Sequence, residues 1–215
     1  MPPLVSIVGK SETGKTTLIE KLIRELRTRG YRVATIKHVP ENLSFDEPEK
    51  DSWRHIQAGS QATAISSTER LVIIKPVSPA LDIEQIAHHI GEEYDIVLAE
   101  GFKESNAPKI EVHRKAVGPP LSAVKKLVAI VTDEPLTTKT RQFSPEDAKG
   151  IIDLIEQGFI KPQGKRILLY VNNYPVPLTL FPKKFITSTI LSMISALKGT
   201  GKVKSAEIYL RQEPD

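Results

Sequence analysis

One octapeptide holds the residues of this chain best suited to chemistry on a phosphate: Gly9-Lys10-Ser11-Glu12-Thr13-Gly14-Lys15-Thr16, directly after the apolar run Leu4-Val5-Ser6-Ile7-Val8. The spacing is G-x-x-x-x-G-K-[ST], and each position has a physical task. Gly9 and Gly14 let the backbone wind so that successive N–H groups, through Ser11, Glu12 and Thr13, point inward on an anion. Lys15 reaches the β- and γ-phosphates of a nucleoside triphosphate, which makes it a catalytic as well as a binding candidate, and the Thr16 hydroxyl ligates Mg²⁺. The helix that follows offers the positive end of its dipole to the same phosphates.

Two other stretches could complete such a site. Asp95-Ile96-Val97-Leu98-Ala99-Glu100-Gly101 is a continuous apolar run ending in a carboxylate and a glycine, the pattern of a central parallel strand entering a site at its C-terminal end. Glu100 is the candidate catalytic and Mg²⁺-holding acid. Asp95 lies at the other end of that strand, over ~15 Å away at ~3.3 Å per residue, and reads as structural. Gly101 allows close backbone approach to a γ-phosphate. The strand-like run Lys126–Asp133 ends in Thr132-Asp133. A carboxylate there accepts from both N1–H and the 2-amino group of guanine, a pair of donors adenine lacks. It also suits a plain turn acid before Glu134-Pro135, and spacing supports both readings.

The elements that must position these residues alternate. Leu18, Leu22, Ile23 and Leu26 recur at helical spacing after the loop, with Gly30 as a stop, and Arg32–Lys37 reads as a strand. That is a βαβ unit with parallel pairing. The segment from His38 to Lys50 is aperiodic and reads as a long functional loop. Asp51 or Ser52 is expected to cap a short helix over 53–58. Ala62–Ser66 and Leu71–Ile74 read as a hairpin, Ile83–Glu93 as a helix with two surface histidines, and Lys109–Arg114 as a strand. Ser144 is expected to cap a helix opening at Pro145. A composition shift at 158–165 separates a domain over 1–160 from a module over 165–215. In the module, strands 166–171 and 176–180 flank a turn at Asn172–Pro175, before a helix over 183–197 and a strand over 206–210. The fold class is α/β: a P-loop NTPase with a mostly parallel twisted sheet and flanking helices, plus a small α+β (ββαβ) C-terminal module.

Bulk composition narrows the partners. The chain has 215 residues, 40% of them hydrophobic and 26% charged, with a formal net charge of +4. Its basic residues are scattered, which suits an anionic small ligand and gives no ground for a nucleic-acid partner. There is no cysteine, so neither a disulfide framework nor a thiolate metal site forms. No run reaches the ~18 apolar residues of a membrane span, and the expectation is a soluble, cytoplasmic protein.

Taken together, Gly9 to Thr17, Ile36-Lys37-His38, Asp46-x-Pro48-x-Lys50-Asp51-Ser52-Trp53, Ala58-Gly59, Ala99-Glu100-Gly101-Phe102-Lys103, Lys109–Arg114 and Val131-Thr132-Asp133-x-Pro135-Leu136 resemble the molybdopterin-guanine dinucleotide biosynthesis adaptor (MobB) family, over about residues 4–157. The resemblance implies a GTP-binding, Mg²⁺-dependent homodimer with weak GTPase activity. It implies assistance to the guanylyltransferase that joins GMP to molybdopterin. It places Gly14, Lys15, Thr16 and Thr17 on phosphate and metal, Glu100 and Gly101 on the γ-phosphate side, and Thr132-Asp133 at the base. Asp46 enters as a further metal candidate from the family's loop. The chain departs from the family at Val39–Ser44, where further His and Asp residues are often found. Hydrolysis is expected to be slow, because no water-positioning Gln or arginine finger is identifiable in the sequence. The competing readings are a P-loop small-molecule kinase, which needs lid arginines, and a GTP-dependent metallochaperone, which needs more soft ligands than five scattered histidines.

Overall fold

Residues 1–39, 47–162, 167, 169–171, 174–176, 178–199, 203, 206 and 208 are described by a computed structural model. The chain divides into two compact units, Met1–Gln163 and Gly164–Asp215.

The first unit is built on β1 (Leu4–Val8), whose five residues are all buried. A strand covered on both faces has no polar alternation, which is why this run reads as continuously apolar. After β1 come α1 (Lys15–Thr28), β2 (Val33–Lys37), α2 (Asp51–Gln57), β3 (Thr63–Ser66), β4 (Leu71–Ile74) and α3 (Ile83–Ile90). Then follow β5 (Ile96–Glu100), β6 (Lys109–Val112), β7 (Leu127–Val131), β8 (Gln142–Phe143) and α4 (Ala148–Ile155). Six strands form one sheet in the order β2-β5-β1-β6-β7-β8. Every neighbouring pair is parallel. Sequence order therefore reverses around β1: the chain goes to β2 beyond β5 on one side and to β6, β7 and β8 on the other. The crevice at the C-terminal ends of strands around such a switch point is where open α/β sheets hold ligands.

Each face of the sheet has its own core. Val5, Ile7, Leu98 and Ile110 pack with Leu22 and Leu26 of α1 and Ile152 of α4. Leu4, Ile36, Val97 and Ala99 pack on the opposite face with Ile83 and Ala87 of α3. Burying each Leu or Ile contributes ~1.5–3 kcal/mol, enough to hold the loop between β1 and α1 in a single place. At the C-terminal end of α1, Arg29 binds Glu25, Asp153 and Glu156, tying α1 to α4 and the π turn Glu156–Ile160 that follows it.

Several boundaries differ from the sequence expectation, each for a local reason. Helix α2 begins at Asp51 itself, after Lys50, and has no side-chain cap; Asp51 contributes its charge within the first turn instead. Ser144 does not cap α4. Its carbonyl accepts the Asp147 N–H at 3.0 Å in a turn, and Asp147 becomes the cap, accepting the Gly150 N–H at 2.9 Å. Helix α3 stops at Ile90 because Gly91 turns to φ +119°. Strand β8, two residues long, is too short to leave a periodic signal. The β3–β4 hairpin is antiparallel, with Ile65 opposite Val72.

The second unit contains an antiparallel pair, β9 (Leu169–Val171) and β10 (Tyr174–Val176), and a helix, α5 (Leu180–Ser195). The strand expected over 176–180 is instead the end of β10 and the start of the helix. Pro182 falls in the first turn of α5, where a missing N–H costs no intrahelical bond. The expected turn residues Asn172 and Asn173 and most of the expected strand over 206–210 lie outside the described residues. Among the described residues no helix is long and apolar enough to cross a membrane.

Candidate functional site

The loop between β1 and α1 forms a cradle whose shape depends on its glycines. At Gly9, φ is +155°, and a side-chain carbon there would lie 2.5 Å from the Val112 carbonyl oxygen and 2.8 Å from Thr13 Oγ1. Gly14, at φ +87°, is the N-cap residue of α1, and Glu12 takes the left-handed φ of +62°. The Lys10 carbonyl gathers the interior: Thr13 Oγ1 donates to it at 3.0 Å and Lys15 Nζ at 2.6 Å. Burial pulls Lys15 below the ordinary lysine range, partly offset by the charge of Glu100. A phosphate entering the cradle would take Lys15 from a neutral carbonyl to a full anion, a stronger, charge-assisted partner. Ser11, Thr16 and Thr17 are exposed at the mouth.

On the β5 side of β1, parallel register brings two distant sequence signatures together. Lys37 lies opposite Glu100, and Ile7 pairs with Glu100 from the other side. Thr16 Oγ1 donates to Glu100 Oε2 at 3.0 Å, and Lys37 Nζ stands 3.9 Å from Oε1. The donor pair is one hydroxyl and one carboxylate, hard oxygens that fit Mg²⁺, which keeps several waters and takes further ligands from phosphates. Thr16 and Glu100 would hold the ion, and its chemistry there would be charge neutralisation between phosphoryl oxygens. Gly101 follows at φ +98°, its N–H donating to Ile7 O at 2.9 Å. A side chain on Gly101 would meet His38 Cβ at 3.2 Å, and the His38 and Phe102 rings lie 5.0 Å apart. The Ile-Lys-His and Ala-Glu-Gly-Phe signatures are thus two edges of one patch. Asp95, at the far end of β5, accepts the Arg32 N–H at 2.8 Å and is structural. Asp46 lies outside the described residues.

On the β6 side stand the ends of β6 and β7. Thr132 is buried: its Oγ1 lies 3.0 Å from His113 Nδ1 and donates to Glu134 O at 2.8 Å. Asp133 is exposed and accepts the Lys115 N–H on Oδ1 at 2.9 Å. That hydrogen bond, reinforced by the positive charge of Arg114, holds the Asp133 carboxyl below the usual carboxylate range. The sequence marked Thr132 and Asp133 as one pair. The structure separates them, with Thr132 turned inward as a strut and Asp133 outward.

Arg114 was not singled out by spacing. It follows β6, the strand hydrogen-bonded to β1, and a side-chain carbon at Gly14 would lie 3.5 Å from its Nη2. Its Nη1 is buried without a hydrogen-bond partner. The signal that could have found it is strand order, which no local pattern encodes. Lys109 and Glu111 of the same strand are buried; Lys109 Nζ donates to the carbonyls of Ser105 and Ala107, and Glu111 Oε1 accepts the Leu121 N–H at 2.6 Å. Burial pushes Lys109 down from its ordinary value. These two residues of the Lys-Ile-Glu-Val run brace the loops on either side of β6 and have no direct part in the cradle.

A cavity of about 480 Å³ lies elsewhere, lined by His55, Ala58, Ser60 and Thr63 near α2 and β3. Its lining carries no lysine or arginine, whereas Lys15 reaches into the β1–α1 loop, so the loop is the candidate site. Among the described residues no group of three or more His, Cys, Asp or Glu could hold a metal by itself.

Residues 4–133 match the family model described as molybdopterin guanine dinucleotide synthesis protein B, MobB. The molybdopterin-guanine dinucleotide biosynthesis adapter protein of Haemophilus influenzae is 38% identical over 156 residues, 72% of this chain and 88% of that protein. The Escherichia coli protein of the same name is 32% identical over 170 residues, 76% of this chain and 97% of its own length. The crystal structure of Bacillus subtilis MobB aligns with a TM-score of 0.58 at 25% identity, covering 76% of this chain and 99% of that one.

Proposed function

The chain belongs to the MobB family, and from that premise we propose that it is a GTP-binding adaptor in the formation of the guanine dinucleotide form of the molybdenum cofactor. The adaptor role follows the names of its relatives, the H. influenzae and E. coli adapter proteins. GTP and Mg²⁺ are the ligands this reading adds, and the observation that carries them is the Thr16–Glu100 contact at the mouth of the cradle. A hydroxyl from the loop and an acid from the neighbouring strand meet where a β,γ-bound ion would sit. Lys15 and the turned backbone hold the phosphates, Thr16 and Glu100 orient the ion, and Asp133 faces the base. In this reading hydrolysis is slow. Glu100 is engaged by Thr16 and Lys37, which suits holding an ion better than activating water.

The partner in this reading is the guanylyltransferase that joins GMP to molybdopterin, with the adaptor delivering or retaining the nucleotide. The protein works in the cytoplasm as a homodimer. The β3–β4 hairpin offers a surface for self-association, since the consecutive Leu71, Val72 and Ile73 are 64%, 49% and 62% exposed.

Calorimetric titration of the full chain with GTP and ATP, with and without Mg²⁺, tests the reading. GTP should bind more tightly than ATP and more tightly with Mg²⁺ than without, and Asp133→Asn should narrow the GTP-over-ATP preference. Adding the protein to the transferase, molybdopterin and GTP should raise the yield of guanine dinucleotide. Equal affinity for ATP and GTP would remove the guanine part of the reading, and no effect on transfer would remove the adaptor part.

A further inference from the structure

Arg114 has no task in the function proposed above, yet its guanidinium lies beside Gly14 of the cradle, on the β6 side. Arginine is always charged. Its guanidinium packs against Gly14, Nη1 is buried and unpartnered, and it makes no ion pair among the described residues. Enclosing a charged donor without an acceptor is costly, so native structures normally supply one. Asp133 is the acceptor that geometry brings to this end of the sheet: β6 and β7 are paired up to Val112 and Val131, and Asp133 accepts the N–H of Lys115, the residue next to Arg114. It takes that N–H on one oxygen and forms no ion pair with Arg114. Lys115 Nζ, which could have competed, stands 3.7 Å from Glu134. A donor fork and a carboxylate thus stand near each other at the cradle, unpaired.

A ligand that satisfies both must present acceptors to one and donors to the other. Guanine does: N7 and O6 are adjacent acceptors, while N1–H and the 2-amino group are adjacent donors. Adenine places an amino donor where O6 would be and would face the guanidinium with the wrong sign. The planar fork of arginine matches N7 and O6 in a bidentate pair, as a lysine would not.

We propose that Arg114 and Asp133 read the two edges of a guanine base together, Arg114 donating to N7 and O6 and Asp133 accepting from N1–H and the 2-amino group. This rests on the GTP-binding reading above and adds a specificity-determining residue to it. A guanidinium holding the α-phosphate is the competing role, and it predicts a different pattern of losses.

The test uses the full chain with Mg²⁺ and four probes: GTP, 7-deaza-GTP, ITP and ATP. For the native protein, 7-deaza-GTP (no N7) and ITP (no 2-amino group) should each bind more weakly than GTP, by about tenfold. In Arg114→Ala the 7-deaza penalty should vanish while the ITP penalty persists; in Asp133→Asn the reverse is expected. Arg114→Lys should keep the charge and still lose the 7-deaza penalty. An Arg114→Ala protein that loses affinity for GTP and ATP equally, with its 7-deaza penalty intact, would assign the arginine to phosphate and overturn the proposal. Undiminished GTP affinity with an unchanged 7-deaza penalty would also overturn it, leaving GTP binding in place. Failure of the native protein to bind GTP would instead bring down the reading on which this one rests. An unshifted thermal midpoint establishes that each variant is folded, independently of its nucleotide affinities.

Discussion

On the β5 side of β1, Glu100 is already engaged, with Thr16 Oγ1 at 3.0 Å and Lys37 Nζ at 3.9 Å. On the β6 side, Arg114 Nη1 is buried without a hydrogen-bond partner, while Asp133 accepts the N–H of Lys115, the next residue. The same central strand therefore carries one flank whose polar groups satisfy each other and one whose groups are held apart. In the proposed reading the difference follows from what each flank would bind. A hydrated cation is accommodated by oxygens already gathered, because the ion brings its own waters and the phosphates complete the shell. A base is read best by groups that have not spent on each other the donors and acceptors they would turn to it, as a carboxylate and a guanidinium do when they pair in a fork.

The largest effect should come from removing what the two flanks share. Lys15→Ala deletes the ammonium that reaches into the cradle, and nucleotide affinity should fall by about a hundredfold or more, judged by charge-assisted hydrogen bonds of ~1.5–3 kcal/mol each. Retained affinity in a calorimetric titration would move the site away from this loop altogether. Gly9→Ala is next. Its new carbon would lie 2.5 Å from the Val112 carbonyl, backbone that cannot step aside cheaply. Steric overlap of that kind costs ~1–3 kcal/mol, so urea denaturation should show that loss together with weakened binding of every nucleotide. A variant of native stability would mean that the cradle is looser than these distances imply.

Glu100→Gln separates the flanks. It keeps the shape and removes the charge, so Mg²⁺ should enhance GTP affinity about tenfold less, while the ratio of GTP to ATP affinity stays where it was. A change in that ratio would show that the two sides are not independent. The smallest effect lies outside both. Hydrogen bonds from Lys161, Arg29 and Tyr31 lower the Glu156 carboxyl from 4.5 to about 2. A carboxyl depressed in the folded state stabilises the protein fully above about 4.5, and that stabilisation is lost as pH falls towards about 2. Urea midpoints measured from pH 6 downward should therefore drop through this window, and Glu156→Gln should flatten the drop without altering nucleotide preference.

Most of the fold was legible because its signals are local. The apolar run of β1, the helical spacing of α1 and the run of β5 each arise from burial on one or both faces, which a sequence displays directly. Ends of elements were harder. Ser144 and Asp147 are both good caps three residues apart, and only the turn between them decides that the second one serves. Strand β8 is held by two partners on β7 and has no pattern of its own. In the candidate site, Lys15, Thr16 and Glu100 could be named from the sequence because a loop motif and an acid at a strand end are local features. Arg114 could not, since an arginine after a strand is ordinary until the strand beside it is known. Thr132 and Asp133 read as one pair in the sequence, but the Thr132 hydroxyl is buried, binding Glu134 O and lying against His113, while Asp133 is exposed.

By itself, the sequence determined the cradle. Eight consecutive residues with glycines at the turning points set backbone conformation through their own φ and ψ, which needs no distant partner. Strand order was decided only in the tertiary structure. Parallel strands are joined by long crossovers, so neighbours in the sheet are not neighbours in the chain, and side-chain contacts across them depend on which strand lands beside β1. Thr16 and Glu100 meet across 84 residues because β5 lands on one side. Arg114 reaches Gly14 because β6 lands on the other.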